Sequence, residues 1–88
     1  MTYEVVFAST AVRDLERIPS RIVPAIVEFV YGELARNPQR VGKRLERELA
    51  GLYSARRGPY RILYEIEDEE VRVIVIHVDH RADIYRRR

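Results

Sequence analysis

Short apolar runs of alternating and then helical spacing follow one another closely along the 88-residue chain. Tyr3 to Ala8, rich in β-branched and aromatic residues, predicts a first strand. Ala11, Leu15 and Ile18 then recur at helical spacing, with Ser9 or Thr10 placed to cap the helix and Pro19 to end it. Ser20 is expected to cap a second, longer helix, whose first turn tolerates Pro24 because a missing N–H costs little there. Ile22, Ile26, Phe29 and Val30 form its apolar stripe, widened by Val23, Val27 and Leu34, and the helix should stop before Asn37-Pro38.

Pro38 to Gly51 is polar and basic, and reads as a loop with a turn of helix at most. Leu52 to Arg57 predicts a second strand, closed by the turn signal Gly58-Pro59. Tyr60 to Glu67 predicts a third, with Tyr60, Ile62, Tyr64 and Ile66 on one face and Arg61, Leu63 and Glu65 on the other. Asp68-Glu69-Glu70 makes a tight solvated turn. Val71 to Val78 predicts a fourth strand, apolar on both faces around Ile74–Ile76, as a central covered strand would be. Asp79 to Arg88 is expected to leave the sheet, with room for a helical turn. The order is β-α-α-β-β-β. It implies an α+β fold, with a helical hairpin packed on a small, mainly antiparallel twisted sheet, in one domain over residues 1–88.

Composition narrows the class. Apolar residues are 47% of the chain, enough for a core and too many for a disordered segment. No run approaches the roughly 18 apolar residues of a membrane span. Met1-Thr2-Tyr3-Glu4 shows no basic segment leading into an apolar one, so a cytoplasmic location is expected, with no membrane partner. The absence of cysteine removes disulfides and thiolate chemistry. Net charge is only +2, yet positions 39–64 hold seven basic and two acidic residues, and positions 65–79 one basic and six acidic. Positions 80–88 are basic again, so two basic blocks flank an acidic turn. They are able to converge into one phosphate-binding face, or simply to keep a small protein soluble.

Candidate chemistry is sparse. His77 and Asp79 should face one side of the last strand and His80 the other, a poor arrangement for one metal ion, and neither metal nor cofactor is expected. His77, on an apolar strand, reads as a hydrogen-bonded structural histidine. No Walker-type loop and no Ser-His-Asp set is present, which leaves arginine, histidine and tyrosine. That palette suits RNA cleavage by attack of a 2′-OH on its own phosphate. The reaction needs a base, positive charge around phosphorus and a proton for the departing 5′ oxygen. Arginines supply fixed charged forks for phosphate oxygens, and a tyrosine crowded by arginines ionises more readily. Arg56, Arg57 and Arg61 straddle the hairpin turn, while Arg81 and Tyr85 follow the last strand, so they are candidates to meet at one end of the sheet.

The run Leu52-Tyr53-Ser54-Ala55-Arg56-Arg57-Gly58-Pro59-Tyr60-Arg61-Ile62-Leu63-Tyr64 resembles the hairpin signature of RelE/ParE-type toxins. That signature places an arginine before a Gly-containing turn, then a Tyr-Arg-apolar-apolar-Tyr strand. His80-Arg81-Ala82-Asp83-Ile84-Tyr85 is similar to the family's His-Arg-x-x-x-Tyr ending, and Asn37-Pro38, Gly42-Lys43 and Leu45 match its usual loop. The resemblance implies a ribosome-dependent endonuclease of messenger RNA, restrained by a cognate antitoxin protein and meeting operator DNA only through that antitoxin. It implies that Arg61 contacts the scissile phosphate, that Arg81 is the C-terminal arginine, that Tyr85 is the candidate general base and that Arg56 is a basic position on the second strand. Some members carry two further lysines on that strand, where this chain has Tyr53 and Ser54, and His80 therefore rivals Tyr85 for proton transfer. Arg57, Lys43, Arg44 and Arg47 are candidate contacts to RNA backbone. Two other classes stay open: a gyrase poison of the ParE branch without nuclease activity, and an inactive regulator that binds antitoxin and operator.

The spacing of Arg81 and Tyr85 generates a test. Four residues apart on a helical turn they share a face, which favours the phenolate and makes Tyr85 usable as a base. Tyr85→Phe is expected to slow single-turnover cleavage on programmed ribosomes by roughly a hundredfold, and His80→Gln by less. Parental rates for Tyr85→Phe beside an inactive His80→Gln would transfer the role to the histidine.

Overall fold

The computed structural model describes residues 2–80, so Arg81 and Tyr85 lie outside the described residues. Strand β1 (Glu4–Phe7) leads into helix α1 (Ser9–Arg17), which ends before Pro19 as expected. Neither Ser9 nor Thr10 caps it: the N-cap is Ala8, and Thr10 turns its hydroxyl to the Ile76 carbonyl at 2.5 Å. Helix α2 (Val23–Phe29) carries Pro24 in its first turn, but Ser20 is not its cap, because a turn from Ile22 N–H to Pro19 O delays the start. It runs on through a wider π turn, Val30–Leu34, where Ala35 N–H donates to the Val30 carbonyl. The added residue in that turn lets Val30, Leu34 and Ala35 all bury fully beside Ile26.

The basic stretch after Pro38 holds more structure than a loop. It forms a short helix α3 (Pro38–Val41), a two-residue strand β2 (Lys43–Arg44) and a 3-10 turn (Arg47–Leu49). Strand β2 is too short for any periodicity, and both its residues are exposed. Tertiary contact makes it. Tyr64 is fully buried and donates its hydroxyl to the Pro38 carbonyl at 2.6 Å. A side chain at position 42 would collide with that hydroxyl and with the Ser54 carbonyl, so Gly42 alone lets the chain pass into β2.

Strands β3 (Tyr53–Arg57), β4 (Tyr60–Glu67) and β5 (Arg72–His80) complete a five-stranded sheet in the order β1-β5-β4-β3-β2. Among the described residues only the β1–β5 pair is parallel. Asp79 and His80 remain in β5 rather than leaving the sheet, since β4 continues to pair with them. The helices supply Ala11, Ile26, Val30 and Leu34 to a core shared with Ala55, Ile62, Tyr64, Val73, Val75 and Val78. Strict alternation forbids Val75 and Val78 from sharing a face. They do so because Leu63 pairs with His77 but Tyr64 pairs with Val75, which leaves Ile76 as an extra residue in β5. That bulge, and not cover on both faces, accounts for part of the unbroken apolar run; Ile74 and Ile76 are only half-buried.

Burial pushes the Tyr64 phenol well above its ordinary pKa, with the neighbouring Tyr53 adding to the effect. A raised folded-state value means that this stabilisation is complete below the unfolded pKa of about 10 and is lost as pH rises beyond it. Tyr64→Phe is expected to lose about 1–3 kcal/mol at neutral pH by orphaning the Pro38 carbonyl. It should also soften the alkaline fall in stability, and urea unfolding between pH 7 and 11 measures both.

Candidate functional site

The pairing register sorts the candidate residues onto two faces, because directly opposed residues in an antiparallel pair point the same way. Away from the helices, two rows run side by side. One is Lys43, Ser54, Leu63 and His77 across β2, β3, β4 and β5; the other is Arg56, Arg61 and Asp79 across β3, β4 and β5. The helix side carries Arg44 opposite Tyr53, and a rim row of Arg57, Tyr60 and His80. The His80 ring stands edge-on to Tyr60, centroids 5.7 Å apart.

The structure therefore gathers Lys43, Arg56 and Arg61 on one face and sets Arg44, Arg57 and His80 on the other. Arg57 and Arg56 both line a groove of about 470 Å³ between α2 and the β3–β4 turn, together with Glu28, Glu33 and Arg36. Arg47 sits in the 3-10 turn with a left-handed backbone, φ 61°.

Two residues of the basic face carry no sequence signal. Ser54 is buried between Lys43 and Leu63, and its hydroxyl has no hydrogen-bond partner among the described residues. Asp79 stands directly opposite Arg61 and accepts the backbone N–H of His80 at 2.9 Å. Only the pairing register shows either relation. His77 is the hydrogen-bonded structural histidine that its apolar strand suggests: its Nδ1 lies 2.8 Å from Asp14 of α1.

Arg56 directly opposite Arg61 is the feature folding alone does not explain. Like charges across a pair destabilise a sheet, and a row with two arginines and one carboxylate keeps a positive excess. At its other end the same face is neutralised, with Arg72 donating to Glu4 at 3.2 Å and to Glu67 at 3.0 Å. Such an arrangement attracts an anion to one end of the sheet.

A two-helix layer over one face of the sheet and opposed arginines on the other define a small α+β domain. Comparison with known proteins narrows this. A family profile described as "ParE toxin of type II toxin-antitoxin system, parDE" matches residues 5–85. Toxin RelG of Mycobacterium tuberculosis is 61% identical over 87 residues, 99% of this chain and 100% of that protein. Toxin RelE of the same organism is 51% identical over 84 residues, 96% of this chain and 87% of that protein. In a crystal structure of the RelBE2 toxin–antitoxin complex from M. tuberculosis, a chain 58% identical superposes with a TM-score of 0.89, covering 94% of this chain and 95% of that one. The chain belongs to the RelE/ParE toxin family and is a type II toxin–antitoxin toxin of the RelE kind. The profile's description names the ParE branch, but the full-length relatives at 51–61% identity are both RelE-type, and they decide the branch.

The opposed arginines generate a test of stability against activity. Arg56→Thr is expected to stabilise the domain by about 0.5 kcal/mol, by replacing a repulsive cross-strand pair with a good strand former. Thermal melting reads the change. A lower midpoint would mean that Arg56 is held by favourable contacts instead.

Proposed function

We propose that this toxin cuts messenger RNA on the ribosome, with the Lys43, Arg56 and Arg61 face against the RNA backbone. The single observation that carries the reading is the opposition of Arg56 and Arg61 in register at the end of the sheet, in a chain so similar to RelE-type toxins. Arg61, and Arg81 by resemblance, neutralise the phosphate as the 2′ oxygen bonds to phosphorus and the bond to the 5′ oxygen breaks. The products are a 2′,3′-cyclic phosphate and a free 5′ hydroxyl. One group takes the 2′ proton and another returns a proton to the departing oxygen. His80 stands on the helix side with Tyr60, whereas Arg61 faces away from the helices, and this favours Tyr85 as the base.

The reaction calls for neither metal nor cofactor, because RNA brings its own nucleophile and arginines supply the charge. The ribosome supplies much of the orientation, which for a well-aligned intramolecular attack is worth several kcal/mol. The inhibitory partner is a cognate antitoxin protein, as RelB is for the toxin in the solved complex, and operator DNA is met only through it. Translating ribosomes put the site of action in the cytoplasm. Among the described residues no helix is long and apolar enough to cross a membrane.

Induced expression followed by primer extension on cellular messages tests the reading. Cleavage within translated regions is expected, and Arg61→Ala should lower it about a hundredfold, the usual effect of losing one transition-state contact. Arg57→Ala, on the helix side, should change it by less than threefold. Intact messages with accumulated gyrase–DNA breaks would move the toxin to the ParE mode of action.

A further inference from the structure

Strand β1 covers only part of β5. Its last register pair is Phe7 with Val75, and Ala8 N–H closes the ladder on the Val75 carbonyl at 2.9 Å. Beyond that point β5 runs on to His80 with β4 on one side. The bulge at Ile76 reverses which backbone groups point to the uncovered side, and α1 lies there. Thr10 donates its hydroxyl to the Ile76 carbonyl at 2.5 Å, and Asp14 Oδ2 accepts Val78 N–H at 3.0 Å. The same oxygen lies 2.8 Å from His77 Nδ1. Thr10 and Asp14 are four apart on one face of α1, so two side chains stand where β1 would have continued.

Asp14 is only 2% exposed, unusual for a carboxylate, and its partners are the residues next to the basic rows. His77 ends the Lys43 row, and Val78 immediately precedes Asp79, which ends the Arg61 row. Resting on the function proposed above, we infer that Asp14, assisted by Thr10, is a positioning residue that holds the end of β5 in register so that the arginine face meets the scissile phosphate correctly. It touches no substrate; it acts through Val78 and His77. Misplacement of a reacting geometry by about 1 Å costs on the order of a hundredfold in rate, so a small shift here is enough to be seen.

The test compares the parent with Asp14→Ala, Asp14→Asn and Thr10→Val. Three readouts are taken: affinity for programmed ribosomes, single-turnover cleavage rate, and hydrogen exchange at the Val78 amide. Asp14→Ala is expected to slow cleavage by 10- to 100-fold at unchanged ribosome affinity, with faster exchange at Val78. Asp14→Asn keeps an acceptor for Val78 N–H and should return both rate and protection to within about threefold of the parent, because position rather than charge is at stake. Thr10→Val should give a smaller loss of the same kind. Should Asp14→Ala not fold, Thr10→Val and Asp14→Asn carry the comparison: an unchanged Thr10→Val rate, or an Asp14→Asn rate reduced 10-fold or more, overturns the assignment. It is overturned equally if Asp14→Ala cuts at the parental rate while Val78 exchanges faster, which would make Asp14 a stability element only. Failure of the parent to cut any message would sink the proposed function instead, and Val78 exchange in Asp14→Ala equal to the parent's would then still refute the positioning role.

Discussion

The register of β4 between its two neighbours is the constraint that places both the core and the candidate site of this domain. A one-residue slip in a sheet turns every side chain to the opposite face. In the observed register Ile62 and Tyr64 meet the helices, and the same pairing sets Arg61 beside Arg56 on one flank and Asp79 on the other. Core and site are thus two faces of one ladder. The apolar face locks the pairing strongly, since a slip would expose its buried tyrosine and valines, and the charged face takes its placement from the same pairing.

Two local devices adapt the ladder to its ends. At one edge Tyr64 reaches across the core to the Pro38 carbonyl, and Gly42 leaves room for it, so that an exposed two-residue strand carrying Lys43 is drawn into the sheet. Near the other edge, the bulge at Ile76 puts both Val75 and Val78 into the core and turns spare backbone groups toward α1. In each case a buried hydrogen bond between distant parts of the chain fixes a segment that has little local preference of its own. Buried polar groups of this kind cost more when left unpaired than they contribute when paired, which makes them good determinants of a unique arrangement.

The charge pattern follows the same logic. A net charge of +2 says little, yet the sheet separates it into a neutralised end, where Arg72 bridges Glu4 and Glu67, and a basic end with opposed arginines. Retaining a repulsive pair beside a well-packed core is the kind of local cost that functional sites keep.

Periodicity and turn chemistry by themselves determined the α1 stop at Pro19, the hairpin at Gly58-Pro59, the shared face of Tyr60, Ile62, Tyr64 and Ile66, and the family resemblance of the hairpin arginines. These are local or motif properties, written within a few residues of one another. Strand β2, the bulge at Ile76, the true partners of Thr10 and Asp14, and the separation of Arg61 from His80 were decided only by tertiary structure. None has a local signature. A two-residue edge strand shows no period, and a bulge is invisible until a partner strand fixes the count. The face a strand-end residue takes depends on that count, and a buried aspartate on an amphipathic helix looks like any solvated one until the backbone amide it accepts from, 64 residues away, arrives beside it.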